Sequence, residues 1–338
     1  MKRLSYAIPI LVIALFITVG LTPTVRAQLT VTAAGTADGF SLSTFVTGFT
    51  NNTVGPLGIA VNSDGNVVVD SSFNLTNYVF HDTDGQTVAG AISSTAFNAF
   101  PPAYATAAGA VWGSGGFTGP NAGKLVKFNN DGTTNTIYTI PGLSVTNGMW
   151  TNPVSGHLLA SSESTGQIFD IDVSGVTPTF KLVAKAFADG VTVSPDGTKV
   201  YGAVAGGVDG WSIATGLATF SAAVPAADGM GIITSSNSLN GDIVVNTNSG
   251  TVVLIDPTTS LQTIIADGGS ASRGDYTAAD PSNGTLFLTQ SGEIDRLACG
   301  PGCVVGGPSV PEPSSLLLLG FGLAVLASKA LHSKLVSA

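Results

Sequence analysis

The sequence predicts an all-β repeat protein, a six-bladed β-propeller framed by an N-terminal signal helix and a C-terminal hydrophobic helix. Three observations lead there. A self-similar unit recurs at about 40 residues. Gly-centred hairpin turns punctuate every unit. A strand ahead of the first unit matches one that the last unit lacks, which would close a ring and remove an exposed edge. A seventh blade or a two-sheet sandwich remains open on the same pattern.

Composition bounds the function. Of 338 residues only 10% are charged, 44% are hydrophobic and 43 are glycine. Low charge with many turn and β-branched residues suits an exported β protein and disfavours disorder. The net charge of −9 and the absence of a basic stripe argue against a nucleic-acid partner.

Met1-Lys2-Arg3 opens the chain with positive charge, and the apolar run Ala7–Val19 follows. Val25-Arg26-Ala27 then offers small residues at signal-peptidase spacing, so residues 1–27 read as a signal peptide, against the alternative of an uncleaved anchor. The propeller is expected over 28–303. Unit starts fall at 58, 101, 148, 190, 229 and 274. Each unit begins with a short apolar strand, then turns at a site such as Asp64-Gly65, Ser155-Gly156, Asp196-Gly197, Asn240-Gly241 or Asn283-Gly284. Such turns need positive φ, which Asn, Asp and Gly supply. The last unit has three strands, and Ser41–Phe49 reads as its missing fourth.

Cys299-Gly-Pro-Gly-Cys303 holds the chain's two cysteines. In an oxidising compartment they are expected to form a local disulfide, a clip closing the domain. No further thiols or histidines lie near enough for a metal site there. A linker is expected over 304–310 and a tail over 311–338.

In that tail Pro311, Glu312 and Pro313 precede the uncharged run Ser314–Ser328, then Lys329, His332 and Lys334. The order resembles the PEP-CTERM sorting signal. The resemblance implies recognition by an exosortase-type enzyme, membrane anchorage through the tail before processing, and placement at the surface or in the matrix of a Gram-negative bacterium. The run is short for a membrane span, roughly 22 Å as a helix against a core of about 30 Å. A terminal helix packing on the domain is the alternative.

Positions just ahead of the six unit starts are Leu57, Phe100, Asn147, Asp189, Asp228 and Arg273. In a propeller they converge at one end of the axis. Asn147, Asp189 and Asp228 supply hard oxygen ligands suited to Ca2+ or another divalent cation. The same residue types also serve as turn-entry caps. Thr146–Trp150 and Asp189–Gly197 resemble blade starts of the gluconolactonase and senescence-marker-protein family, and more loosely those of NHL-type propellers. That likeness implies a divalent-metal lactonase in which Asn147 and Asp189 are ligands. Leu57 stands where the family carries a carboxylate.

No Gly-x-Ser-x-Gly elbow occurs. His81 and His157 read as surface residues, and Asp82-Thr83-Asp84-Gly85 as a turn. Trp112, Trp150 and Trp211 suit either the core or a sugar-stacking platform. The expectation is therefore an exported propeller binding a ligand, an extracellular polysaccharide or a surface protein, with metal-dependent lactone hydrolysis as the alternative.

Overall fold

The computed structural model describes residues 28–50, 55–98, 102–116, 118–144, 146–269 and 274–306. The signal segment 1–27, the sorting motif Pro311, Glu312 and Pro313 with its hydrophobic helix, and Phe100, Pro101 and Arg273 lie outside the described residues.

Six antiparallel sheets form the blades of a propeller. Blade one comprises Pro56–Val61, Val67–Ser71, Thr76–Phe80 and Ser93–Ala96, and blade two Tyr104–Ala107, Ala110–Ser114, Leu125–Phe128 and Thr134–Tyr138. Blade three runs through Met149–Thr151, Leu158–Ser162, Gln167–Asp172 and Thr179–Ala184, and blade four through Val191–Val193, Lys199–Val204, Gly207–Ser212 and Ala218–Ala223. Blade five holds Ala227–Ser235, Ile243–Thr247, Val252–Ile255 and Gln262–Asp267, and blade six Thr277–Asp280, Thr285–Thr289 and Glu293–Ala298. The first strand of each blade touches its neighbours on both sides, from blade one round to blade six and back.

Closure follows the expected route. Ser41–Thr47 lies antiparallel to Glu293–Ala298, with Ser41 opposite Ala298 and Thr47 opposite Glu293. It completes blade six and ties the two ends of the domain into one sheet.

Burial explains the strand sequences. Middle strands are covered on both faces and read as continuous apolar runs: Val67-Val68-Val69, Leu158-Leu159-Ala160 and Ile243-Val244-Val245 are all buried. Outer strands such as Ser93–Ala96 and Ala218–Ala223 alternate instead, because one face meets solvent. Trp112, Trp150 and Trp211 are all buried, so the tryptophans belong to the core.

Two devices hold blade to blade. Inner-strand threonines reach back one blade: Thr106 Oγ1 donates to the Val61 carbonyl at 2.5 Å, and Thr151 Oγ1 to the Thr106 carbonyl at 2.6 Å. The recurring glycines allow close approach. A β-carbon at Gly148 would lie 2.3 Å from the Asp189 carbonyl oxygen, and one at Gly190 2.1 Å from that of Asp228. Glycine recurs at blade starts because the next blade's backbone occupies the space a side chain would take.

The ring seam carries a latch that the sequence did not reveal. Arg296 of blade six is buried, and its guanidinium binds Asp280, Asp82 and Asp84, the last at 2.8 Å. It also stacks on Phe45 and Phe287, 5.0 and 4.6 Å from the ring centroids. Asp82 and Asp84 come from a blade-one loop whose Gln86–Thr87 pairs parallel to the closing strand at Val46 and Thr47. The turn read at 82–85 is thus a cross-seam clamp.

Cys299 and Cys303 are joined in a disulfide with a Cα–Cα distance of 5.6 Å. Cys303–Val305 then pairs antiparallel with Ile233–Ser235. The fold therefore extends into the segment expected as linker from 304. Asp228 stands at the opening end of that blade-five inner strand and Ser235 at its other end. The described chain leaves the fold on the face opposite Asp228.

Candidate functional site at the axial mouth

Backbone pairing fixes which residues share a level around the axis. The amides of Ser114, Ser161, Ala203 and Thr289 donate to the carbonyls of Ala103, Gly148, Gly190 and Tyr276. Gly229 lies opposite Asn246 at the same level in blade five, and continuing the register of Ile59 with Val69 adds Gly58. Hydroxyls from the second strands hold this level rigid. Ser114, Ser161 and Thr289 accept the backbone N–H groups of Ala103, Gly148 and Tyr276 at 2.8–3.0 Å.

One residue earlier stand Leu57, Pro102, Asn147, Asp189, Asp228 and Asp275. The structure therefore brings Asn147, Asp189 and Asp228 to one mouth, as their spacing predicts. It corrects the other two positions: Pro102 and Asp275 occupy the level assigned to Phe100 and Arg273. Keying blade six to Gly274 shifted that alignment by two residues, because Tyr276 stands where four other blades carry glycine.

That exception closes the axis. Tyr276 crosses from blade six, and its hydroxyl accepts from the Tyr104 backbone N–H at 2.9 Å and donates to the Tyr104 carbonyl. The hydroxyl also lies 3.4 Å from the Met149 carbonyl oxygen of blade three. Burial raises the Tyr276 phenol well above its usual range, so it stays protonated. The mouth is blind, and its floor is a tyrosine.

Above the floor the mouth divides into a polar arc over blades three to six and an apolar arc at Leu57 and Pro102, both buried. Asn147 Nδ2 donates to Glu163 Oε2 at 2.6 Å, and Asn248 Nδ2 to Asp228 Oδ2 at 2.6 Å. Glu163 and Asn248 lie just beyond the second strands of blades three and five. The two pairs are equivalent arrangements in alternate blades. The two amide oxygens, Asn147 Oδ1 and Asn248 Oδ1, are shielded and have no hydrogen-bond partner. A buried acceptor without a donor costs about 1–3 kcal/mol, so each is a place for a donor.

Burial raises the Asp228 carboxyl well above the usual carboxylate range, and the charges of Asp189 and Asp275 add to the rise. The Asn248 hydrogen bond opposes it, whereas the side-chain hydrogen bond with Asp275 raises it further. The Asp228 and Asp275 carboxyls thus approach each other within hydrogen-bond reach across two adjacent blades.

The lactonase-type ligand set is incomplete at these residues. Leu57 is buried and apolar where that set has a carboxylate. Among the described residues, no three His, Cys, Asp or Glu side chains are placed to hold one ion. His157 is remote from the mouth, beside the turn at Gly156, with Nδ1 2.7 Å from Asp170 Oδ1. Sequence reasoning missed Asp275, Glu163, Asn248 and Tyr276. Three lie outside an Asx-Gly pair, and Asp275 lies just after the glycine that set the alignment.

Comparison with known proteins agrees with this architecture. The protein is an all-β six-bladed propeller carrying a PEP-CTERM protein-sorting motif, matched over residues 309–329. That tail implies export, processing by an exosortase and surface or matrix association in a Gram-negative bacterium. Its fold is similar to that of a putative gluconolactonase at 12% identity and TM-score 0.58, covering 81% of this chain and 98% of the other. A gluconolactonase from Xanthomonas campestris is similar at 14% identity and TM-score 0.56, covering 80% and 95%. A catalytically inactive virginiamycin B lyase from Staphylococcus aureus, solved with quinupristin, is similar at 15% identity and TM-score 0.51, covering 77% and 100%. Identities this low show the shared fold alone. No match was found among the curated proteins.

Proposed function

We propose that this protein is an exported propeller, sorted through its tail to the cell surface or matrix, that binds a polysaccharide or protein ligand at the axial mouth. The observation that carries this is the convergence of Asn147, Asp189, Asp228 and Asp275 from four successive blades beside two amide oxygens that lack donors. The blind floor supports binding over passage, since nothing threads past Tyr276.

Sorting rests on Pro311, Glu312 and Pro313 as the element an exosortase-type enzyme reads. Before processing, the run Ser314–Ser328 anchors the chain in the membrane, with Lys329 and Lys334 snorkelling to the interface. Co-sedimentation of the exported protein with its producer's exopolysaccharide and surface fraction tests the reading. Retention that weakens in Asn147→Ala and Asp228→Ala supports it. No retention by either fraction sinks it.

The rival reading is metal-dependent lactone hydrolysis with Asn147, Asp189 and Asp228 as ligands. The unpartnered Asn147 Oδ1 favours it, and the buried Leu57 stands against it. Calorimetric titration with Ca2+, Mg2+ and Zn2+ separates the two. Only the hydrolase requires a site that Asp189→Ala abolishes.

A further inference from the structure

On the face of the ring that carries the mouth, two phenylalanines in connections between strands are largely exposed. Phe73 lies in the turn after the second strand of blade one and is 54% exposed; Phe187 lies two residues before Asp189 and is 68% exposed. A β-carbon at Gly166 would sit 2.8 Å from the Phe187 ring. The ring is therefore seated on the blade-three turn that carries Glu163, the partner of Asn147. The other exposed phenylalanine among the described residues, Phe180, lies on an outer strand away from the axis. Leaving a phenyl face in water forgoes about 1.5–3 kcal/mol of burial. Phe73 and Phe187 both lie in connections on the face that carries the polar arc.

The polar groups between them mostly accept. Asn147 Oδ1 and Asn248 Oδ1 lack donors just beneath the surface, and the carboxyl groups of Glu163, Asp189, Asp228 and Asp275 belong to the same arc. A ligand that matches must bring many donors together with flat apolar faces. Pyranose rings do both: their hydroxyls donate in clusters, and their axial C–H faces stack on aromatic rings. A ligand bearing carboxylate or sulfate would set like charges against this arc.

Resting on the reading that the mouth binds a ligand, we propose that it holds a neutral glycan chain laid across the blind floor. Central sugar units hydrogen-bond to the polar arc, and flanking units stack on Phe73 and Phe187. The floor forbids threading, and because the two rings stand on connections of different blades, a ligand that reaches both gains affinity with chain length.

The test is a ladder of neutral glucans, mannans and galactans, from free hexose to polymer, titrated against the exported protein and its Phe73→Ala, Phe187→Ala and Phe180→Ala variants. Phe73 and Phe187 are exposed, so these variants fold. At least one series is expected to bind with affinity that climbs over several units and then levels off. Phe187→Ala and Phe73→Ala should each weaken the long chains about tenfold, as loss of an aromatic anchor does, and Phe180→Ala should not. Affinity as high for the free hexose as for the polymer overturns the proposal, as does indifference to both the Phe73 and Phe187 variants. If the producer's exopolysaccharide is retained but no neutral series binds, the neutral-glycan assignment fails while the binding reading stands. Retention by surface protein alone has the same consequence. If neither fraction is retained, both fail together.

Discussion

Replacing Tyr276 with phenylalanine removes one oxygen from the axis and little else. That oxygen accepts from the Tyr104 N–H, which points into the channel with no ladder partner, and donates to the Tyr104 carbonyl. The residue is 3% exposed, and a bare phenyl ring leaves the amide buried and unpaired. Loss of a partner under such conditions costs about 1–3 kcal/mol. For a domain of this size each kcal/mol lowers Tm by about 2–4 °C, so the variant should melt roughly 2–12 °C below the parent. Differential scanning calorimetry of both proteins at one pH and concentration is the assay. Tyr276→Gly, which copies the neighbouring blades, should fall further, because about 3–5 kcal/mol accompanies the loss of a buried aromatic ring. If Tyr276→Phe melts within a degree of the parent, the hydroxyl does not bridge the axis and the floor of the mouth has been misassigned.

Three further outcomes follow from the same contacts. Gly190→Ala drives a methyl against the Asp228 backbone, which cannot swing away as a side chain would, and should cost about 1–3 kcal/mol. Gly175→Ala, whose nearest atom would be 3.6 Å away, should be near neutral by the same melting assay. Arg296→Ala strands the carboxylates of Asp82, Asp84 and Asp280 at the seam, and urea titration should register a loss of about 3–5 kcal/mol. Asp295 is pushed up to about 7 by burial and by the charge of Glu293. The folded state therefore holds a proton that the unfolded chain releases from about pH 4, so this group's contribution falls as pH rises from about 4 to 7. Asp295→Asn should flatten that part of the Tm–pH curve, and an unchanged slope would contradict the assignment.

Much of the architecture was legible because its causes are local. Asx-Gly turns declare hairpins wherever they occur, and the strand Ser41–Thr47 could be matched to blade six since both its pattern and its partner's absence were visible. What escaped depends on contacts between distant residues. The Asp82–Arg296 pair spans 214 positions, and no periodicity connects them. Blade six was misaligned because glycine was treated as the marker of a blade start, whereas the structural requirement is room beside the next blade. Where the axis must be filled, the same position takes tyrosine. Glu163 and Asn248 were missed because each acts through an inner-strand neighbour rather than from a repeat position of its own.

The strand Cys303–Val305 has a consequence for orientation. It is stapled to the end of the blade-five inner strand remote from Asp228, and only residues 307–310 separate the described fold from the Pro-Glu-Pro element. Four residues reach at most about 14 Å. Anything that grips the tail therefore holds it within that reach of the face opposite Asn147 and Asp228.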